Sequence, residues 1–279
     1  MGISENLPRL ADVVRQHGLS AHKSLGQHFL LDPAVTARIA NAAGNLGAAH
    51  VIEVGPGPGG LTRALLDAGA CQVVAIEKDR RCISALAELV DAADGRLVVE
   101  EADALTVDAI ALIPPPRLIV ANLPYNIATE LLLGWLSQAP AFERMVLMFQ
   151  KEVADRITAA PGTKSYGRLS VRAQWLCHCE ALFDLKPGAF SPPPKVSSTV
   201  VRLTPYDTPL HDAPADALEA VVAAGFGQRR KMLRVALKRL GGPAEELLAQ
   251  AGITPTRRAE TLDLAEWCAL ARAYAARGR

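Results

Sequence analysis

The chain has 279 residues, half of them hydrophobic and 21% charged, which supplies a sizeable core and excludes intrinsic disorder. Thirty basic residues against 29 acidic ones leave a net charge of +1, so bulk charge names no partner and any nucleic-acid surface must be a local patch. Five cysteines without C-x-x-C spacing exclude a disulfide framework and a zinc ribbon. Cys177-His178-Cys179 is too tight for ordinary zinc spacing and reads as packed thiols, and no metal is expected. With no run of about 18 apolar residues and no signal-type N-terminus, a soluble cytoplasmic protein without a membrane partner is expected.

In chain order, His50 to Val54 reads as a strand, followed by a Gly/Pro loop and a helix with Leu61, Ala64, Leu65 and Ala68 on one face. Gln72 to Ile76, Leu97 to Val99, Arg117 to Ala121 and Met145 to Phe149 read as further strands. Strands alternating with helices at this spacing predict an α/β fold: a Rossmann-like parallel sheet covered by helices on both faces. Trp175 to Leu182 and Ser198 to Leu203 read as an antiparallel edge to the same sheet. The prolines of Thr204 to Pro209 then break the chain. Only helical periodicity follows, at Ala217 to Ala224, Lys231 to Leu240, Ala244 to Ala251 and Leu264 to Ala275. The expected domains are residues 1–207 and a small all-helical domain, 208–279.

Gly55-Pro56-Gly57-Pro58-Gly59-Gly60 satisfies G-x-G-x-x-G between a strand and a helix, with Glu77 at the end of the next strand to accept ribose hydroxyls. The pattern fits both dinucleotide and S-adenosylmethionine (SAM) sites. Pro56 and Pro58 bring no N–H to hold a pyrophosphate, whereas SAM carries no phosphate, so the loop favours SAM. Glu53 suits a cationic portion of that ligand, and Asp103, just past the third strand, suits an adenine amino group.

Asn122-Leu123-Pro124-Tyr125 closes the fourth strand at the same edge. An exocyclic adenine nitrogen is a weak nucleophile because its lone pair is delocalised into the ring. Methylating it calls for acceptors that draw the amine toward tetrahedral geometry. The Asn122 side-chain oxygen and the Leu123 carbonyl are such acceptors. Pro124 stiffens the turn, and Tyr125 offers a face on which an extruded base stacks.

Taken together these residues resemble the KsgA-type small-subunit rRNA adenine N6,N6-dimethyltransferases, a family similar in turn to the macrolide-resistance methylases of large-subunit rRNA. The resemblance begins at Lys23-Ser24-Leu25-Gly26-Gln27-His28-Phe29-Leu30 and takes in Glu53 to Gly57, Glu77-Lys78-Asp79, Asp103-Ala104 and Asn122 to Tyr125. It continues through Phe149 to Ala154 and Phe190-Ser191-Pro192-Pro193-Pro194-Lys195-Val196 to the C-terminal helices. It implies a SAM-methyltransferase sheet followed by an rRNA-recognition domain. It places SAM contacts at His28, Leu30, Gly55, Glu77, Asp103 and Asn122. The catalytic set it implies is Asn122, Leu123, Pro124, Tyr125 and Phe190, the two aromatics walling the target base. The implied reaction is dimethylation of N6 on adjacent adenines near the 3′ end of 16S rRNA, by a monomer acting on a pre-30S particle in small-subunit biogenesis. One departure stands at His28, where the family commonly has asparagine; either a ring nitrogen or the backbone alone serves there. Val235 is a second departure, at a position often asparagine.

From Phe226 to Arg239 the chain holds six basic residues and no acidic one. With the resemblance, Arg229, Arg230, Lys231 and Arg234 read as phosphate contacts, extended by Lys23 and Lys195 in loops. Lys164 to Arg168 reads as a mobile flap. Two rivals stand beside this reading: a resistance-type methylase of large-subunit rRNA, and an assembly factor acting mainly by binding. The long helical domain and Leu123 speak against the first, and the intact motifs against the second.

Overall fold

The computed structural model describes residues 2–19 and 27–277. The chain divides into two compact units, Met1–Ala154 with Glu180–Pro205, and Asp155–Cys179 with Tyr206–Arg279.

The first unit is built on a seven-stranded sheet. Its strands are β2 (His50–Val54), β3 (Gln72–Glu77), β4 (Leu97–Glu101), β5 (Arg117–Asn122), β6 (Arg144–Gln150), β7 (Cys177–Leu185) and β9 (Ser198–Pro205), in spatial order β4-β3-β2-β5-β6-β9-β7. The first five pair in parallel, and β9 runs antiparallel to β6. A two-stranded ladder joins β1 (Phe29–Leu30) to β8 (Phe190–Ser191). Side chains alternate between faces along a strand, yet Leu118, Ile119, Val120 and Ala121 of β5 are all buried, so helices cover both faces of the sheet. The five parallel strands stand where the β-branched runs predict them. Strand order reverses between β2 and β5, and at such a point the loops beyond the carboxyl ends of the strands part to form a crevice.

The second unit is helical, with Ala215–Gly227 and Leu264–Arg277 as its longest elements. Leu218, Val221, Leu233, Leu237, Leu247, Leu248 and Trp267 fill its core. Gly225, inside the first of these helices, permits their close approach: a Cβ there would stand 2.6 Å from the Trp267 ring.

Four expectations differ from the structure. The helical unit includes Asp155–Cys179, ahead of the boundary expected at residue 207. Trp175, read as opening a strand, ends the helix Arg168–Leu176, and its indole N–H donates to the His211 carbonyl at 2.7 Å; β7 starts two residues later. Lys231 to Leu240 is not one helix. The Leu233 and Arg234 N–H groups donate to the carbonyls of Arg257 (2.7 Å) and Pro255 (3.1 Å), and Met232 bridges to Arg258. These tertiary bonds leave only the short helix Leu233–Ala236 and a 3₁₀ turn over Leu237–Leu240. The Lys164 to Arg168 segment is anchored, not a loose flap. Tyr166 is 1% exposed, packs edge-on to Phe226 at 5.9 Å, and its carbonyl accepts from Arg229. Cys177 is buried, which pushes its thiol up to about 12, in keeping with a packed side chain.

Candidate active site

A cleft of about 1050 Å³, including its open mouth, lies at the carboxyl ends of β2 to β5. Its walls contain His28, Leu30, Gly55, Glu77, Asp103, Asn122, Leu123, Pro124 and Tyr125, so the fold brings together the residues read as cofactor-binding and nearly all of those read as catalytic.

The glycine loop is closed on itself. Gly55 N–H donates to the Ile76 carbonyl (2.9 Å), Gly57 N–H to Glu77 Oε2 (3.2 Å) and Gly59 N–H to the Pro56 carbonyl (3.0 Å). Pro56 and Pro58 have no N–H. From Gly55 to Gly59 no backbone donor is left for a phosphate, so the loop is not a pyrophosphate cradle. Gly57 has φ +57°, and a Cβ there would lie 2.9 Å from the Phe29 ring, so close approach is built into the loop.

Glu77 holds this loop to the next turn. Its Oε1 accepts from the Lys78 and Asp79 N–H groups, both at 2.8 Å, and its Oε2 from Gly57. A carboxylate has about four acceptor positions. Three are filled here, leaving about one for a ribose hydroxyl. Burial outweighs these bonds and holds the Glu77 carboxyl above the usual carboxylate range. Asp103 caps the turn after β4 through Leu105 N–H (3.1 Å) and pairs with Lys78 Nζ (2.8 Å), which lowers its pKa. Gln27 donates to Asp79 at 3.0 Å, a link that no local pattern in the sequence announces.

Glu53, in β2, is 1% exposed, and its Oε2 has no hydrogen-bond partner among the described residues. Burial, eased by Thr62 and reinforced by the Glu77 carboxylate, pushes its pKa up to about 8. A buried acceptor without a partner in a cleft wall suits a cationic ligand portion. Below about pH 8 the free protein keeps Glu53 protonated, and a cation bound there expels that proton. Affinity for a sulfonium ligand is therefore expected to rise with pH to about 8 and level off, by up to about one log unit per pH unit. Calorimetric titration of SAM across that range checks this, and Glu53→Gln should remove the slope. Folding stability should fall as pH rises from the ordinary carboxylate range to about 8, where the folded chain keeps a proton that the unfolded chain has lost, and stay lower above it.

Asn122 is oriented by the chain. Its Nδ2 donates to the His28 carbonyl at 3.0 Å, which leaves Oδ1 as the acceptor for the cleft. The His28 carbonyl thus orients Asn122, and the His28 ring is engaged too. Nδ1 donates to the Pro192 carbonyl at 2.8 Å, and the ring lies 5.4 Å from Tyr125 and 6.4 Å, edge-on, from Phe190. Phe190 is only 5% exposed, pairs in register with Leu30 and packs in the buried core, and it is not among the residues that line the cleft. Leu30 is likewise buried and reaches the cleft wall.

The basic residues separate. Lys23 lies outside the described residues. Lys195 is exposed in the loop between β8 and β9. Arg229 is committed within its own unit, to Glu260 (2.8 Å), the Tyr166 carbonyl (2.8 Å) and the Thr163 carbonyl (3.0 Å). Arg230, Lys231 and Arg234 are exposed, with Arg234 3.6 Å from Glu245. Among the described residues, no group of three or more His, Cys, Asp or Glu side chains is placed to hold a metal ion, and no helix is long and apolar enough to cross a membrane.

A family model described as ribosomal RNA adenine dimethylase matches residues 18–276. The chain belongs to the ribosomal RNA adenine dimethylase family. It is 59% identical over 274 residues to ribosomal RNA small subunit methyltransferase A of Rhodospirillum rubrum, covering 98% of this chain and 95% of that one. It is 60% identical over 272 residues to the protein of the same name from Paramagnetospirillum magneticum, covering 98% and 96%. Among solved structures it resembles a dimethyladenosine transferase from Plasmodium falciparum (TM-score 0.76, 28% identity, 87% of this chain and 96% of that one). It also resembles the 23S rRNA methyltransferase ErmE (TM-score 0.69, 30% identity, 88% and 99%). As a member of the adenine dimethylase family the chain is a methyltransferase, and its methyl donor is SAM. The closed glycine loop and the unpartnered Glu53 oxygen fit that donor.

Proposed function

We propose that this adenine dimethylase transfers methyl groups to N6 of adjacent adenines near the 3′ end of small-subunit rRNA. It acts as a monomer, in the cytoplasm, on a pre-30S particle. The observation that carries the chemical part is the Asn122 amide, fixed through Nδ2 so that its oxygen stands at the cleft beside the glycine loop. The choice of small-subunit rRNA is supported by relatives at 59% and 60% identity that carry that name.

SAM supplies an electrophilic methyl on a sulfonium. The chain's residues position the two partners. Glu53 balances positive charge, Glu77 and Asp103 hold the nucleoside end, and the Gly55 to Gly60 turn permits close backbone approach. Asn122 Oδ1 and the Leu123 carbonyl accept the two amine hydrogens, which localises the lone pair on nitrogen. Tyr125 supplies a stacking face. No strong base is required, because alignment supplies most of the rate. As the nitrogen takes the methyl, the methyl–sulfur bond breaks and the sulfur leaves as a neutral thioether; the proton shed by the positive nitrogen passes to water at the open mouth of the cleft.

Arg230, Lys231, Arg234 and Lys195 contact phosphate in this reading, while Arg229 holds the Thr163–Tyr166 turn. Arg229→Gln is therefore expected to lower the thermal unfolding midpoint by several degrees while leaving the salt dependence of RNA binding unchanged. Arg230→Gln with Lys231→Gln should do the reverse, flattening that dependence by about 0.7 log units per log unit of salt for each lost single-strand contact. Salt titration and thermal melts of both variants check this.

The reading as a whole is tested by mapping N6,N6-dimethyladenine in small-subunit rRNA from cells with and without the gene, then restoring it with purified protein, SAM and immature subunits. Loss of the marks without the gene and their return on addition is the expected result. Dimethyladenine appearing only in large-subunit rRNA would overturn it.

A further inference from the structure

Tyr125 is held at its far end by a residue outside its own motif. Its phenol oxygen lies 2.7 Å from Ser198 Oγ, 73 residues further along the chain. Ser198 is the first residue of β9 and is 0% exposed. Its neighbour in sequence is also tied, Thr199 donating to Asp184 at 2.7 Å, and both lie in a strand paired along its length with β6. The hydroxyl of Ser198 therefore sits on rigid backbone. At the other side of the Tyr125 ring environment, the His28 ring lies 5.4 Å away at 31°, itself tethered by the Pro192 carbonyl.

A tyrosine ring has two soft torsions, and a stacking wall works only if both are fixed. Leu123 and Pro124 fix the backbone beneath the ring, but nothing within the motif fixes the ring's outer end. An unbonded phenol in a half-buried position would also leave a polar group without a partner. We propose that Ser198 is a positioning residue for methyl transfer. Its hydroxyl locks the plane of Tyr125 so that the target amine is seated for both methyl additions. The proposal rests on the reading of Tyr125 as the wall for the target adenine, and it adds a residue that touches neither the base nor the donor.

The second addition is the sensitive one. N6-methyladenine must be seated with one amine hydrogen replaced by a methyl, so only one acceptor bond to Asn122 or Leu123 remains, and stacking carries more of the alignment. Loosening the ring should then slow the second transfer more than the first, and monomethyladenine should accumulate. A defect that only lowers the fraction of folded enzyme slows both transfers alike and leaves the ratio of their rate constants unchanged.

The test is single-turnover methylation of immature small subunits with enzyme in excess and saturating SAM, scoring mono- and dimethyladenine over time. The variants are Ser198→Ala, Tyr125→Phe, their double, and Tyr125→Ala. Ser198→Ala and Tyr125→Phe should each slow the second transfer about tenfold, the effect of losing one positioning hydrogen bond. The double variant should be no slower than either single one, because the two groups act as a unit. Tyr125→Phe keeps the ring and removes only the hydroxyl, so it decides the matter even if Ser198→Ala fails to fold. Native product ratios in Tyr125→Phe, or additive losses in the double variant, overturn the Ser198 tie while Tyr125→Ala still fails. Native rates in Tyr125→Ala would instead remove Tyr125 from the site, and the proposal with it.

Discussion

Asn122→Ala should lower the rate of methyl transfer by about 10²–10³-fold, the cost of losing one positioned hydrogen-bond partner of a transition state. The acceptor it removes matters most as the amine becomes nucleophilic, so RNA affinity should change little. The side chain also donates to the His28 carbonyl, a bond that the substitution removes. The assay therefore needs saturating SAM, and a melt to confirm that the fold is kept. Single-turnover rates on immature small subunits give the number. Transfer at the native rate would remove Asn122 from the catalytic role.

Glu77→Ala should weaken SAM binding by tenfold or more, and for two reasons. The ribose loses an acceptor, at about 1.5–3 kcal/mol for a bond to a charged group. The N–H groups of Gly57, Lys78 and Asp79 also lose their common acceptor, so the loop itself loosens. The unfolding midpoint should fall as well. Calorimetry with SAM and a thermal melt separate the two effects. Full SAM affinity in the variant would show that Glu77 serves the loop alone.

The parallel sheet was legible because its strands are short β-branched runs set off by Gly and Pro, a local signal. The convergence of Glu53, Glu77, Asp103 and Asn122 was legible for a related reason: each lies at or near the end of a successive strand, and parallel strands end at one edge. Trp175 departs from the strand reading because its burial in the helical core holds it in the helix Arg168–Leu176. Within the basic run, charge alone says nothing of partners. Arg229 finds acceptors 63 and 66 residues back along the chain, which no spacing rule encodes. The same holds for Ser198, whose bond to Tyr125 spans 73 residues, and for His28, whose ring meets Pro192 across 164. Motifs name the groups that touch ligands. The contacts that aim those groups come from the fold.

The glycine loop has a bearing on repeated use of the site. Two methyl additions to one adenine take two donor molecules, so spent donor must leave and fresh donor enter between them. Ordering a floppy segment of five residues at each entry would oppose binding by about 1–2 kcal/mol per residue. A turn whose N–H groups are already bonded to Ile76, Glu77 and Pro56 avoids that ordering. A receptacle bonded in this way needs no re-ordering of its backbone between fillings.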